Sequence, residues 1–254
     1  MISERFLERI IFSEKRYLSV KYIASISYGK DSLAMLDVIM SNGLPLDDVI
    51  YVEVMATKTL SAELPDMVKF IEYADKRLYD LYGITVTKLR SDLTFEDVFY
   101  KVKGSRSKFP GTIYGFPMTC QFAWCNDRLK QRAFNAYFKS IGDDHKRYIG
   151  LAADETKRLK RMQPYANAIA PLAEHGITEA MTHEINERNN LTNPLYEIFD
   201  RLGCWFCPKQ SIKSLAKVRE LYPELWAKML EWDKESPVKF SPQYTLADIE
   251  KRLS

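Results

Sequence analysis

Two groups of residues in this chain have types and spacings that could do chemistry. The first is Ser27-Tyr28-Gly29-Lys30-Asp31-Ser32, which follows a short apolar run and opens a helical pattern. Backbone N–H groups at a helix N-terminus lack partners and carry partial positive charge, so such a junction can hold an anion. Gly29 lets the backbone approach a ligand closely, Ser27 and Ser32 add hydroxyl donors, and Lys30 adds charge. The hexapeptide alone is equally compatible with an ordinary strand–helix turn capped by Ser or Asp.

The second group is the cysteines, which fall into two pairs, Cys120-x4-Cys125 and Cys204-x2-Cys207. The CxxC spacing lets two thiolates face one ion or cluster, and Gly203 and Pro208 favour a tight turn around it. Joint coordination of one centre by all four uses every cysteine in the chain. Independent, reduced core cysteines are the alternative, because free cysteine is often buried. A redox dithiol fits less well, since the CxxC lies far from any thioredoxin-like βαβ pattern. Four thiolates suit tetrahedral zinc or an iron–sulfur cluster. None of the histidines, His145, His175 and His183, stands at ligand spacing to the cysteines.

The elements around these groups alternate. Residues 22–26, 48–54, 84–89 and 146–151 read as strands, and Leu33, Leu36 and Met40 with their neighbours, 64–82, 94–101 and 125–140 as helices, with Asn42-Gly43 and Gly83 as stops. Strands alternating with long helices require crossover connections, hence an α/β fold with a parallel twisted sheet and helices on both faces. A ligand should then lie beyond the carboxyl ends of the strands. Residues 103–119, rich in Gly, Pro and Ser, interrupt the alternation and read as a substrate lid. After Pro171 the strands give way to helices over 178–189, 211–221, 223–235 and 246–253. The expected organisation is an α/β domain over 1–175 that carries the loop at 27–32 and a small helical C-terminal subdomain over 176–254 that carries the CxxC pair.

Composition bounds the class. The chain has 254 residues, 46% hydrophobic and 28% charged, which suffices for a sizeable core. No apolar run approaches the length of a membrane span. The N-terminal Met1-Ile2-Ser3-Glu4-Arg5-Phe6 reads as the start of an amphipathic helix without signal-peptide features, so a cytoplasmic location is expected. A net charge of +3 does not by itself imply nucleic acid. Basic residues do cluster locally, at Lys101, Lys103, Arg106 and Lys108 and again at Lys157, Arg158, Lys160 and Arg161. Each cluster suits either a solvated face or an anionic partner.

Residues 27–32 resemble the Ser-x-Gly-x-Asp-Ser signature of the ATP pyrophosphatase (PP-loop, adenine nucleotide alpha hydrolase-like) superfamily, with Tyr28 where a second glycine is usual. The loop differs from the Gly-x-x-x-x-Gly-Lys-Ser/Thr of P-loop NTPases. Further motifs, in order, resemble the phosphoadenosine phosphosulfate (PAPS) reductase-like branch of that superfamily. They are Tyr114-Gly115-Phe116-Pro117, Trp124-Cys125-Asn126-Asp127-Arg128-Leu129-Lys130, and the segment from Gly150 through Asp154-Glu155-Thr156-Lys157-Arg158. Ile177-Thr178-Glu179, Asn193-Pro194-Leu195-Tyr196 and Gly203-Cys204-Trp205-Phe206-Cys207-Pro208 complete the set.

The resemblance implies cleavage of ATP between its α- and β-phosphates, with Mg²⁺ helping to hold the pyrophosphate. Ser27, Tyr28, Gly29, Lys30, Asp31 and Ser32 would cradle the phosphates, and backbone groups of Val54 and Met55 would meet the adenine. Lys30, Asp31, Lys130, Asp154, Glu155 and Arg158 are the candidate catalytic residues, with Asp154 and Glu155 either holding Mg²⁺ or capping a helix. Cys120, Cys125, Cys204 and Cys207 would hold a [4Fe–4S] cluster, with zinc as the alternative. The first pair is adjacent in the cluster-bearing reductases of that branch and spread here.

The tail at 247–254 has no cysteine of the kind a sulfonucleotide reductase uses as nucleophile. The expected activity is therefore adenylation with pyrophosphate release, serving sulfur transfer to a nucleic acid. A sulfonucleotide reductase, a sulfate adenylyltransferase-like enzyme and a non-catalytic nucleotide-sensing module are the alternatives. Expected partners are ATP, tRNA or DNA, and a sulfur donor such as a cysteine desulfurase. No membrane is involved, and a homo-oligomer is compatible with all of this.

Overall fold

The computed structural model describes residues 20–118, 123–142 and 144–253. Cys120 and the helix expected at residues 1–6 lie outside the described residues. Five strands form one sheet: β1 (Lys21–Ile26), β2 (Asp48–Glu53), β3 (Val86–Arg90), β4 (His145–Ile149) and β5 (Ala168–Ile169). Their order across the sheet is β3-β2-β1-β4-β5. β1 runs parallel to β2, with Ile23 opposite Asp48, and parallel to β4, with Lys21 opposite His145. β4 in turn runs parallel to β5.

Parallel neighbours need crossovers rather than tight turns. Helix α1 (Lys30–Ser41) joins β1 to β2, and α2 (Pro65–Tyr82) joins β2 to β3. The chain fills one side of β1 and then crosses to the other, so the strand succession reverses between β1 and β4. In open parallel sheets the crevice beyond the strand ends at such a switch point receives the ligand.

The helices begin and end where local chemistry dictates. α1 stops at Asn42 and Gly43, where Gly43 takes φ +61, a conformation glycine adopts without a Cβ penalty. α3 (Phe95–Phe99) opens with a capping box: Thr94 accepts from the Asp97 N–H, and the Asp97 carboxylate accepts from the Thr94 N–H. After β4 come α5 (Thr156–Met162), α6 (Pro171–Glu174) and α7 (Glu179–Arg188). A 3₁₀ turn (Pro194–Glu197) then leads to α8 (Ile212–Leu221), α9 (Pro223–Glu235) and α10 (Leu246–Leu253).

Several elements depart from the sequence-based expectation, which held no helix at α5 or α6. β5 is only two residues long, too short to carry a hydrophobic period, and four strands rather than five were expected. The helix expected over 125–140 changes geometry partway. Asn126–Gln131 is π-helical, and α4 (Arg132–Ile141) continues as α-helix. An extra residue per turn leaves the hydrophobic pattern nearly intact, so periodicity alone does not reveal it; such bulges concentrate at functional sites.

The chain gathers into two compact units. Unit one holds the chain up to Tyr51, with Tyr73–Thr87 and Tyr137–Thr192; unit two holds Val52–Glu72, Lys88–Ala136 and the chain from Asn193 on. Unit one buries Ile23, Ala24 and Ile26 of β1, Val49 and Ile50 of β2, and nearly all of α1 from Ser32 to Ile39. Asp37 is buried there too, with the Tyr82 hydroxyl at 2.6 Å, Asn189 Nδ2 at 2.8 Å and an Arg188 nitrogen at 3.0 Å, the compensation a buried carboxylate requires.

Unit two has an aromatic core. Phe95 packs 4.1 Å from Phe206, 4.9 Å from Trp232 and 5.1 Å from Trp124, centroid to centroid. Trp205 stacks on Trp232 at 5.4 Å with the rings 9° from parallel. No helix among the described residues is long and apolar enough to cross a membrane.

Candidate functional site

The first candidate site lies at the end of β1, in unit one. The Ser27 N–H donates to Ser32 Oγ at 3.1 Å, and the Ser32 hydroxyl donates to the Gly29 carbonyl at 2.9 Å, closing the loop over its own helix start. Gly29 is the N-cap of α1 and supplies no side-chain cap, so no side chain competes with an anion at this terminus. Tyr28 stands at φ +53, a left-handed conformation uncommon outside glycine. Its ring is fully buried, edge-on to Tyr51 at 5.0 Å, and its hydroxyl donates to Asp75. The side chain thus anchors the loop in the core at a backbone position where a glycine would also fit.

β4 ends beside the same loop. A Cβ at Gly150 would lie 3.1 Å from backbone atoms of Asp31 and Ser32, so the absence of a side chain there lets the two strand ends approach. Both sides of the switch point therefore converge on residues 29–32.

Helix α7 holds the loop from outside. Lys30 Nζ sits 2.7 Å from Asp31 Oδ1 and 2.9 Å from Glu179 Oε1, and its side chain is only 17% exposed. Burial pulls the Lys30 pKa down, but the hydrogen bonds and charges of Asp31 and Glu179 outweigh it and hold the ammonium above its ordinary range. The Thr182 hydroxyl lies 3.2 Å from Asp31 Oδ1, and Asn186 Nδ2 donates to the Lys30 carbonyl at 2.8 Å. Glu179, Thr182 and Asn186 are spaced i, i+3, i+7 and so share one helical face. Sequence reasoning singled out only Glu179 of these, as part of a motif and without a role. The signal for the others was that polar periodicity.

The remaining candidates of unit one divide. Asp154 reaches this network, because its carboxylate accepts from the Glu179 N–H at 3.1 Å. Glu155 is the N-cap of α5, accepts from the Ala152 N–H at 3.3 Å and pairs with Arg158. Those are the bonds of a helix start, and Arg158 stays 58% exposed.

The second candidate site lies in unit two. Cys125, Cys204 and Cys207 line one cavity of about 520 Å³ together with Val54, Lys130 and Arg201. The CxxC turn is tied down by its backbone: the Cys207 N–H donates to the Cys204 carbonyl at 3.0 Å, and the Trp205 N–H donates to Ala62 at 2.9 Å. Gln210 Nε2 braces it through the carbonyls of Cys204 at 3.1 Å and Trp205 at 2.7 Å. All three cysteines are free thiols.

Burial pushes the Cys125 thiol pKa up, and the nearby Cys207 adds to this. Burial pushes Cys204 far up, with Glu63 contributing next. Gathered thiolates repel one another unless a cation compensates, and a bound metal deprotonates its thiol ligands outright. The donor set thus suits a soft metal centre. Among the described residues, however, no three His, Cys, Asp or Glu side chains are drawn together tightly enough to hold an ion.

Val54 and Met55 stand in unit two with the cysteines, as does Lys130. The Val54 carbonyl accepts from the Ala62 N–H at 2.9 Å, and the Met55 carbonyl accepts from the Phe95 N–H at 2.8 Å. His145 is structural: Nδ1 lies 3.0 Å from the Gly142 carbonyl and its ring stacks on Phe138 at 4.5 Å.

No protein-family model matches the chain. Two curated relatives, both from Methanocaldococcus jannaschii, are similar to it. Uncharacterized protein MJ0066 is 26% identical over 231 residues, covering 85% of this chain and 42% of its own length. Uncharacterized protein MJ0973 is 27% identical over 125 residues, covering 46% of this chain and 30% of its own. Among solved structures, the U34-tRNA thiolase NcsA from Methanococcus maripaludis, with its [4Fe–4S] cluster, aligns at a TM-score of 0.42 and 16% identity over 92% of this chain and 72% of that one. The chain spans less than half the length of the curated relatives it matches, and its own strand order makes it an α/β protein built on a parallel sheet.

Proposed function

We propose that the chain is an ATP pyrophosphatase of the PP-loop type that adenylates an oxygen of its substrate, in the service of sulfur transfer to a nucleic acid, tRNA first among the candidates. The observation that carries this reading is the loop at residues 27–32. It closes on an uncapped helix N-terminus at the switch point of a parallel sheet, with Lys30 held in place by Asp31 and Glu179.

In the proposed reaction a substrate oxygen attacks the α-phosphorus of ATP, the bond from that phosphorus to the α–β bridging oxygen breaks, and pyrophosphate leaves. Displacement at phosphorus needs alignment and charge neutralisation more than a protein nucleophile. Backbone N–H groups at the start of α1 and the Lys30 ammonium would stabilise the pyrophosphate, with Mg²⁺ sharing its charge. Asp31, 2.7 Å from Lys30, and Asp154, whose carboxylate accepts from the Glu179 N–H, are the proposed ion partners. In the second step a sulfur nucleophile, delivered by a donor such as a cysteine desulfurase, attacks the activated carbon. A carbon–sulfur bond forms, the carbon–oxygen bond breaks, and AMP carries the oxygen away.

Three free thiols around one cavity support a metal centre held by Cys125, Cys204 and Cys207, with Cys120 as the proposed fourth ligand. A [4Fe–4S] cluster bound there would supply soft iron with affinity for sulfur. Zinc is the other metal the donors suit.

The test is pyrophosphate release from ATP and Mg²⁺ by anaerobically purified protein, with tRNA, single-stranded DNA or sulfate as acceptor, alongside iron and zinc analysis. Release stimulated by tRNA is expected, with Lys30→Ala lowering it by about 10²- to 10³-fold, the usual loss for one charge-stabilising donor. Stimulation by sulfate alone would replace the sulfur-transfer reading with a sulfate-activating one. ATP binding with no acceptor eliciting pyrophosphate would leave a nucleotide-sensing module.

A further inference from the structure

Residues 101–114, most of them within the stretch expected as a lid over 103–119, form an arm in unit two closed by one isolated antiparallel bridge. Val102 bridges Ile113 in antiparallel fashion; the Lys103 N–H donates to the Thr112 carbonyl at 2.8 Å, and the Tyr114 N–H donates to the Lys101 carbonyl at 3.1 Å. The tip is organised by its own bonds, from the Ser107 N–H to the Gly104 carbonyl at 2.9 Å and from the Thr112 hydroxyl to the Phe109 carbonyl at 2.9 Å. Its polar backbone is therefore partly satisfied internally, while its side chains project.

Those side chains share one character. Lys101, Lys103, Arg106 and Lys108 lie between residues 101 and 117 with no carboxylate among them. None of the four forms an ion pair among the described residues. Elsewhere in unit two, exposed cations such as Arg90 and Arg132 do have carboxylate partners. At the tip Phe109 is 59% exposed, although burying a phenylalanine is ordinarily favourable. Cations without carboxylate partners, Lys108 lying 5.7 Å from the centroid of the exposed Phe109 ring, match the two recurrent needs of a single-stranded polynucleotide, phosphate neutralisation and base stacking.

The arm's root is fixed and leads to the thiol cavity. Gly115 takes φ +65, and a Cβ there would lie 2.4 Å from Ser236 Oγ; the next residue, Phe116, is buried and its N–H donates to that same oxygen at 3.1 Å. Pro117, one residue on, lines the cavity that holds Cys125, Cys204 and Cys207. We infer that the arm grips an unpaired RNA loop, Arg106 and Lys108 on its phosphates and Phe109 under a base, and so guides the strand toward the thiol cavity. RNA is the partner because its loops present unpaired, unstacked bases without a duplex having to be opened. The inference deepens the nucleic-acid reading above and rests on it for its purpose, but RNA binding is measured without ATP and so stands or falls separately from pyrophosphate release.

The test is equilibrium binding of the full chain to a fluorescein-labelled RNA hairpin across a range of KCl concentrations. Arg106→Ala with Lys108→Ala should make the slope of log affinity against log salt shallower by about 1.4, roughly 0.7 for each phosphate contact on a single strand. Phe109→Ala should weaken binding about tenfold at unchanged slope, and Phe109→Trp should restore it with RNA-dependent quenching of the new indole. Thermal unfolding checks that each variant is folded. Variants that bind RNA like the parent protein would overturn the inference. So would equal affinity for fully paired RNA or for single-stranded DNA, or binding to anionic lipid vesicles in place of RNA.

Discussion

Residues 28 and 204 show how a side chain's surroundings decide its chemistry. Tyr28 replaces a glycine usual in the loop it resembles, and the structure gives the physical exchange: a left-handed backbone in return for a buried ring and a hydrogen bond to Asp75. The substitution was visible in the sequence, whereas its anchoring role depends on Tyr51 and Asp75, which are distant along the chain. Cys204 behaves similarly. Burial and Glu63 hold its thiol protonated well above the ordinary thiol range.

The sign for stability follows from that shift. In metal-free protein the folded thiol keeps its proton at pH values where the unfolded thiol loses it. The stabilisation is complete below the unfolded pKa of about 8.5 and is lost as pH rises past it, by up to about 1.4 kcal/mol per pH unit for one thiol. Urea unfolding between pH 7.5 and 10 should show this decline, and Cys204→Ala should flatten it. An equally steep decline in the variant would assign the effect to another group.

At the scale of elements, the loop is held by neighbours on two sides. The end of β4 passes so close that Gly150 admits no side chain without displacing Asp31 and Ser32. Gly150→Ala should therefore shift the loop and weaken the proposed ATP binding about tenfold, within the roughly 1–3 kcal/mol that overpacking costs. Isothermal titration calorimetry measures it, and unchanged affinity would show that the loop keeps its geometry without that close approach. On the other side α7 supplies Glu179, Thr182 and Asn186. The helix itself was legible from its periodicity and from Thr178, whose hydroxyl accepts from the Met181 N–H. Its use as a clamp on the loop was not, because the contacts join residues about 150 positions apart. The π-helical stretch Asn126–Gln131 belongs at this scale too: it carries Asn126, Asp127, Leu129, Lys130 and Gln131 along the wall of the thiol cavity.

Over the whole molecule, chemistry-bearing residues are shared between two units. The loop at residues 27–32, Asp154 and Glu179 belong to unit one, and the thiols, Lys130 and the basic arm to unit two. A metal that binds the folded thiols and not the unfolded chain adds to stability by mass action. Anaerobically purified protein should therefore unfold at least about 5 °C above the same protein stripped by chelator, given roughly 2–4 °C per kcal/mol for a chain of this size. Coincident melting curves, with iron and zinc absent from both samples, would show that the thiols hold no metal.

The sequence by itself determined the alternation of strands and helices, the loop at residues 27–32 between β1 and α1, and the pairing of the cysteines along the chain. These are local properties, written in hydrophobic period, turn residues and spacing. Tertiary structure alone decided the two-residue β5 and the approach of Gly150 to the loop. It also decided the Glu179–Lys30 pair, the folding of residues 101–114 into an arm, and the meeting of Cys125 with Cys204 and Cys207 around one cavity. The physical reason is common to all of them. Each depends on which distant segments pack together, and packing is settled by the burial of the whole core rather than by the pattern of any one stretch.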